Sequence, residues 1–239
     1  MKSLTMKKTF FQNQYYSKNK LNEFVFDCNY KDLNKKSAIE TIRIQKQISE
    51  IFKKKYQSII SEFMPFILSV QHKGKLLAAT GIHPASMGSL FVENYFKDSI
   101  ESEIEKVANQ KVARETILEI GNCVSVKNGY ASFLFIVMIG LYQHTNFKWA
   151  VFTATPQIIN ILNKLNMSYL LIKKVDESNL NRNGLNGWGS YYETCPQVIA
   201  LDTKLSFENI SKQDTSIALI NKYQDSIKFV SKLITNNNL

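Results

Sequence analysis

One glutamate stands in the middle of an otherwise apolar, strand-like stretch, Ile117–Val126 (ILEIGNCVSV). A carboxylate taken out of water is costly unless it gains a partner or a proton. Glu119 is therefore a candidate catalytic acid or base; the competing reading is an ion pair, for instance with Arg114. Period-two alternation places Glu119, Gly121, Cys123 and Ser125 on one face and Leu118, Ile120, Asn122, Val124 and Val126 on the other. Cys123 has no histidine beside it in sequence to activate it, and reads as an inert buried thiol. Ser125 lacks nucleophile-elbow surroundings. Gly121 predicts a bulge, or a close approach of a ligand to the backbone.

The elements around this strand suggest what the acid would serve. An Asn128-Gly129 turn leads into a helix over about 130–145 that is apolar all round and so belongs inside the domain. Such a turn aims the helix's free N–H groups at an anion, with phosphate the usual guest, over Asn128, Gly129, Tyr130, Ala131 and Ser132. A second buried strand, 149–155, ends in the small polar groups Thr153 and Thr155, where a sheet meets its ligand crevice. Glu93, embedded among Phe91, Val92, Tyr95 and Phe96, must also find a partner or shift its pKa. The segment Trp188-Gly189-Ser190-Tyr191-Tyr192-Glu193 reads either as a shaped pocket wall or as ordinary packing under a loop.

Along the rest of the chain, residues 1 to about 35 form an arm with a short strand at Phe24–Phe26. Ser37 and Glu40 make a capping-box pair that opens a helix over about 38–61, with Lys53–Lys55 on a solvated face. Phe66–Gln71 and Lys75–Ile82 flank a His72-Lys73-Gly74 turn and predict a hairpin, with His72 exposed. His83 precedes Pro84 and has no second metal ligand nearby in sequence. Leu90–Val107 predicts one or two short helices carrying surface acids. Pro156 introduces a helix over Gln157–Asn166, followed by a strand at Tyr169–Val175, a polar loop at Asp176–Trp188 and a strand at Pro196–Leu201. The chain turns polar at Thr203, and a terminal helix runs over Asp214–Ile234, packing on the domain or adsorbing to a membrane surface.

Composition bounds the possibilities. The 239 residues can bury a sizeable core, and 44% hydrophobic with 12% aromatic residues excludes global disorder. Three scattered cysteines suggest reduced thiols and no metal site. No apolar run follows Lys2, Lys7 and Lys8, so neither signal peptide nor anchor is expected and a cytoplasmic protein is the reading. The longest apolar run, Ala131–Leu141, falls short of the roughly 20 residues that span a bilayer. A formal charge of +10 favours an acidic partner. Nucleic acid is not expected, because no zinc-finger spacing or aromatic-basic signature occurs.

LFVENY (90–95), EIGNCVS (119–125), Gly129, WAVFTAT (149–155), LNKLN (162–166) and WGSYYETCPQV (188–198), in this order, resemble the thermostable hemolysin family of bacterial proteins. With the leading helix and hairpin the resemblance covers residues 37–202. Its element order is similar to the GNAT acyltransferase fold and, more remotely, to acyl-homoserine-lactone synthases. It implies an α/β domain with a GNAT-like mixed, mostly antiparallel sheet flanked by helices, preceded by an arm (1–36) and followed by a helical extension (203–239). LEIGNCV resembles the strand in which those synthases keep a functional glutamate, which falls on Glu119. Gly129-Tyr130-Ala131 resembles the second half of the GNAT phosphate turn, whose first position, Gln or Arg in the motif, is Val126 here.

The expected function is acyl transfer from acyl-CoA or an acyl-phosphopantetheine on an acidic acyl carrier protein to a small amine, without a metal. Glu119 would deprotonate or orient the amine, the backbone N–H near Val124 would polarise the thioester, and the turn at Asn128–Ser132, with Val126 at the motif's first position, would hold the donor arm. Tyr192, Trp188, Thr153, Thr155, Asn122, Glu93 and Arg114 complete the expected site. The alternatives are a lytic protein whose basic surface and terminal helix engage anionic lipid, and a non-catalytic binding module of the same fold.

Overall fold

The computed structural model describes residues 24–30, 35–175 and 187–236. The expected arm up to residue 23 and most of the polar loop at Asp176–Trp188 lie outside them, as do the side chains of Ser37 and Asn128.

The first element is a strand, β1 (Phe24–Tyr30), followed by α1 (Lys35–Tyr56). Ile44, Ile48 and Phe52 recur at helical spacing and are buried, so one stripe of α1 faces the sheet. The helix stops at Tyr56, earlier than its apolar pattern predicts, because Gln57 takes a left-handed conformation (φ 58°) and donates to the Lys53 carbonyl. Residues 57–65 then cross the sheet as an irregular segment. The hairpin forms β2 (Phe66–His72) and β3 (Lys75–Pro84) around a two-residue turn, Lys73-Gly74, with positive φ at both positions. His72 is half-buried against Phe24 rather than exposed.

A 3-10 turn (Phe91–Tyr95) and α2 (Ile100–Ala108) lead to β4 (Ile117–Ser125). The following helix, α3 (Asn128–Tyr142), starts at Asn128, so Asn128 and Gly129 are its first turn and not a loop before it. β5 (Trp149–Ala154), α4 (Pro156–Lys164, with the proline at its start), β6 (Tyr169–Lys174) and β7 (Gln197–Asp202) complete the sheet. Three helices close the described chain: α5 (Thr203–Ile210), α6 (Asp214–Lys222) and α7 (Gln224–Asn236). The polar stretch after Thr203 is helical because Asp202 caps it, accepting from the Leu205 N–H at 2.8 Å. The terminal helix expected as one piece is two, broken at Tyr223.

The seven strands lie in the order β1-β2-β3-β4-β5-β7-β6, antiparallel except for the central β4–β5 pair. This is the mixed, mostly antiparallel α/β architecture expected. One face, carrying Ile67, Ile117, Val151 and Val198, is covered by α1, α2 and the 188–194 segment. The other, carrying Leu68, Leu118, Phe152 and Ile199, is covered by α3, α4 and the last three helices. α3 is buried almost all round because α5, α6 and α7 lie over it, so the 203–236 helices share the main core. Ile227, Val230, Leu233 and Ile234 of α7 face inward, and Lys228, Phe229 and Lys232 face out. The helix's apolar stripe is thus taken up by packing and is not presented to a membrane.

The alternation read along β4 fails after Gly121. Ala79 pairs with Val124 and Gly81 with Gly121, so Asn122 and Cys123 together oppose Thr80 in a bulge. Asn122 takes the left-handed conformation (φ 51°). The extra residue reverses the pleat: Val124 joins the face of Ile117 and Val151, while Cys123 packs on the opposite face. Gly121 allows a close approach, but the visitor is protein. A Cβ there would lie 2.3 Å from the methyl carbon of Met64, in the crossing segment.

Candidate active site

β4 and β5 pair only over Ile117–Glu119 and Trp149–Val151. Both strands continue, to Ser125 and Ala154, but no longer as partners, so they part like a V above Glu119. The bulge bends β4 away at that point, and Asn122 anchors the bend: its Oδ1 accepts from the Met64 N–H at 3.0 Å and its Nδ2 donates to the Glu62 carbonyl at 3.1 Å.

The V opens into a cavity of about 680 Å³ that passes through the sheet. On the α1 side its wall is aromatic, with Phe52, Tyr56, Phe91, Tyr95, Trp188 and Tyr191. On the α3 side it is apolar throughout, with Ala131, Phe135, Phe152, Ile158 and Ile161. Gly189 holds the aromatic wall in place. Its φ is 53° and a Cβ would lie 2.0 Å from the Tyr56 carbonyl oxygen, so only glycine lets the 188–191 loop sit on the end of α1. Ser190 N–H donates to that same carbonyl at 2.8 Å.

Glu119 lies at the apex of the V, 2% exposed. Its two carboxyl oxygens accept the backbone N–H groups of Phe91 (2.6 Å) and Val92 (3.0 Å), the opening N–H groups of the 3-10 turn. Burial pushes its pKa up to about 8, against the two N–H groups, which lower it; the neighbouring charge of Glu93 adds to the rise. Glu119 is thus a neutral-leaning carboxyl at pH 7, and among the described residues it forms no ion pair.

The pairing considered for Arg114 goes elsewhere. Its guanidinium binds Glu93 at 2.8 Å and Glu101 at 3.1 Å, and donates to the carbonyls of Ala85 (2.9 Å) and Gly88 (2.7 Å). Burial alone would raise Glu93, but the Arg114 pair and the Leu90 N–H (2.8 Å) hold it below the usual carboxylate range.

Of the residues singled out in the sequence, Glu93, Glu119, Asn122, Val124, Ala131, Thr153, Thr155 and Trp188 line the cavity. Arg114, Tyr192, Val126, Gly129, Tyr130 and Ser132 do not. Val126 is 50% exposed beyond the strand end. Tyr192 lies behind the aromatic wall, its hydroxyl 2.6 Å from that of Tyr95. Burial pushes Tyr95 up to about 12 and raises Tyr191 well above the ordinary tyrosine value, so both stay neutral; Tyr191 donates to the Thr153 carbonyl at 3.1 Å. Cys123, pushed up to about 11 by burial, stays a thiol.

His83, considered in the sequence only as a metal ligand lacking a second one nearby, is a further member of the site. It is the cross-strand partner of Glu119, half-buried, and lines the cavity. Phe52, Tyr56 and Met64 were also missed; only long-range packing brings them here. Among the described residues no cluster of His, Cys, Asp and Glu could hold a metal ion, and no helix is long and apolar enough to cross a membrane.

The profile of thermostable hemolysins matches residues 34–207. The chain belongs to that family. No curated protein matches the sequence. Among solved structures, the CoA-dependent acyl-homoserine lactone synthase BjaI with MTA superposes with a TM-score of 0.55 at 7% identity, over 80% of this chain and 89% of that one. FeeM, an N-acyl amino acid synthase from uncultured soil microbes, gives 0.53 at 12% identity, over 80% and 98%. The AHL synthase LasI gives 0.52 at 7% identity, over 75% and 90%. At such identities this family member shares with them a fold, that of acyl-transferring synthases.

Proposed function

We propose that this thermostable hemolysin family protein transfers an acyl group from a thioester, carried by coenzyme A or an acyl carrier protein, to a small amine. The observation that carries the reading is the V between β4 and β5, with a cavity running through it from the polar-tipped aromatic wall on the α1 side to a wholly apolar chamber on the α3 side. Beyond Glu119 the β4 edge that faces β5 has no strand partner among the described residues, and its backbone groups suit an extended ligand such as a pantetheine arm.

In this reading the acyl chain enters the apolar α3 side between Phe135, Phe152 and Ile161. The backbone near Val124 polarises the thioester carbonyl, and the opening turn of α3, Asn128–Ser132, holds the phosphate-bearing end of the donor, with Val126 just before it. The amine sits against the aromatic chamber, shaped by Trp188, Thr153, Thr155 and Asn122, with Tyr192 and the Glu93–Arg114 pair supporting the wall. Glu119, fixed by two N–H groups, orients the amine with its remaining lone pairs. The net charge of +10 suits an acidic carrier protein.

The test is incubation with acyl-CoA and acyl-carrier thioesters against a pool of amines, following thiol release and amide formation. Thiol and amide should appear together, and Glu119→Gln, folded as shown by circular dichroism, should lose about 10²-fold or more of kcat. No thiol release with any thioester, alongside liposome leakage that Glu119→Ala leaves unchanged, would overturn the reading in favour of lysis.

A further inference from the structure

Glu119 is poorly suited to take the proton of the attacking amine. Both its oxygens already accept backbone N–H groups, and burial favours its protonated form until the pH nears 8. The histidine opposite it has neither constraint. His83 and Glu119 are directly paired residues of antiparallel strands, which sets their Cβ atoms about 4.5–5.5 Å apart on the same face. Both line the same cavity. The His83 side chain makes no hydrogen bond to any described residue.

The charged groups acting on it are Arg114 and Glu93, which pair with each other; Glu101 of α2 binds the same guanidinium, and the titratable Glu119 stands opposite on β4. Burial lowers its pKa from the ordinary histidine value; Arg114 lowers it further and Glu93 opposes. The imidazole is therefore neutral at pH 7 and able to accept a proton.

We propose that His83 is the proton-accepting catalytic residue of this cavity, with Glu119 the positioning carboxyl beside it. The inference rests on the acyl-transfer reading. The amine nitrogen attacks the thioester carbon, the C–N bond forms and the C–S bond breaks. The proton released from nitrogen passes to the free imidazole nitrogen and from there to the departing sulfur, so that amine and thioester become amide and thiol.

The experiment compares the wild type, His83→Gln, His83→Ala and Glu119→Gln in thiol release between pH 5 and 9. Wild-type kcat/KM should rise with an inflection below about 6.5, and Glu119→Gln, though slow, should keep that inflection. His83→Gln should lose about 10²–10⁴-fold in kcat and the inflection with it, while the thioester KM moves less than about threefold. Added imidazole should restore part of the activity of His83→Ala, which a merely structural role would not permit. Wild-type turnover with an unimpaired His83→Gln, or an inflection near pH 8 that only Glu119→Gln removes, would overturn this proposal and leave acyl transfer standing. No wild-type turnover with any thioester and amine would overturn both.

Discussion

Three successive N–H groups at the start of one 3-10 turn are shared between two glutamates with opposite fates. Leu90 N–H goes to Glu93, and Phe91 and Val92 N–H go to Glu119. In the corner around Glu93 the Arg114 guanidinium is present, and the carboxylate stays charged below its usual range. At the apex of the V no cation pairs with Glu119, burial is complete, and the pKa climbs to about 8. Here two backbone donors do not offset the complete burial of Glu119, whereas the Arg114 guanidinium outweighs the lesser burial of Glu93. The corner is built for rigidity, while the apex stores an uncompensated acid where a ligand can reach it.

The largest effect should come from dismantling the corner. Arg114→Ala strips two carboxylates and two carbonyls of their donor and should lower stability by about 2–4 kcal/mol in urea unfolding at pH 7. Arg114→Lys should recover only part, because an ammonium cannot reproduce the planar fork. A loss below about 1 kcal/mol would mean that the corner is not held by its charges.

Next in size is the opposite pH dependence of the two acids. Glu119 has a raised pKa, so its contribution is fully present below the unfolded value near 4.5 and is lost as pH rises towards about 8, by at most about 1.4 kcal/mol per pH unit. Glu93 is depressed, so its contribution is present above the unfolded value and is lost as pH falls through its lower folded value. Thermal melts between pH 3 and 8.5 should therefore show Glu119→Gln flattening the decline between about pH 4.5 and 8 and Glu93→Gln flattening the limb below pH 4.5. The same limb affected by both variants would collapse the contrast.

The smallest effect tests the wall behind the apex. Tyr192→Phe removes the partner of the Tyr95 hydroxyl and should cost about 1 kcal/mol, with a modest change in the amine KM and little in that for the thioester.

How much of this was legible in the sequence depends on the range of the forces involved. The hairpin, the buried α3, the Pro156-led helix and the sheet strands follow from local periodicity and turn residues. Glu119 could be singled out because a carboxylate in an apolar strand is conspicuous at short range. Its partners could not: Arg114 is near in sequence, yet the N–H groups of Phe91 and Val92 claim Glu119, through a turn whose position only the fold decides. The bulge was anticipated at Gly121, but its placement at Asn122–Cys123 is set by Asn122 bonding the crossing segment, and that one residue reversed the faces of Cys123 and Val124. α5 was missed because a polar stretch with one Asp cap carries little apolar signal. His83 was invisible as chemistry because its counterpart sits on the next strand, and residue pairing across strands is a property of register rather than of spacing.

The central claim is that the V between β4 and β5 is where an acyl thioester binds. A crystal structure with an unreactive thioether analogue of acyl-CoA tests it most directly. The pantetheine arm should lie along Ile120–Ser125, the acyl chain between Phe135 and Phe152, and the carbonyl oxygen near a β5-facing backbone N–H beside Val124. An analogue bound outside the V, with the two strands and the cavity unchanged, would contradict it.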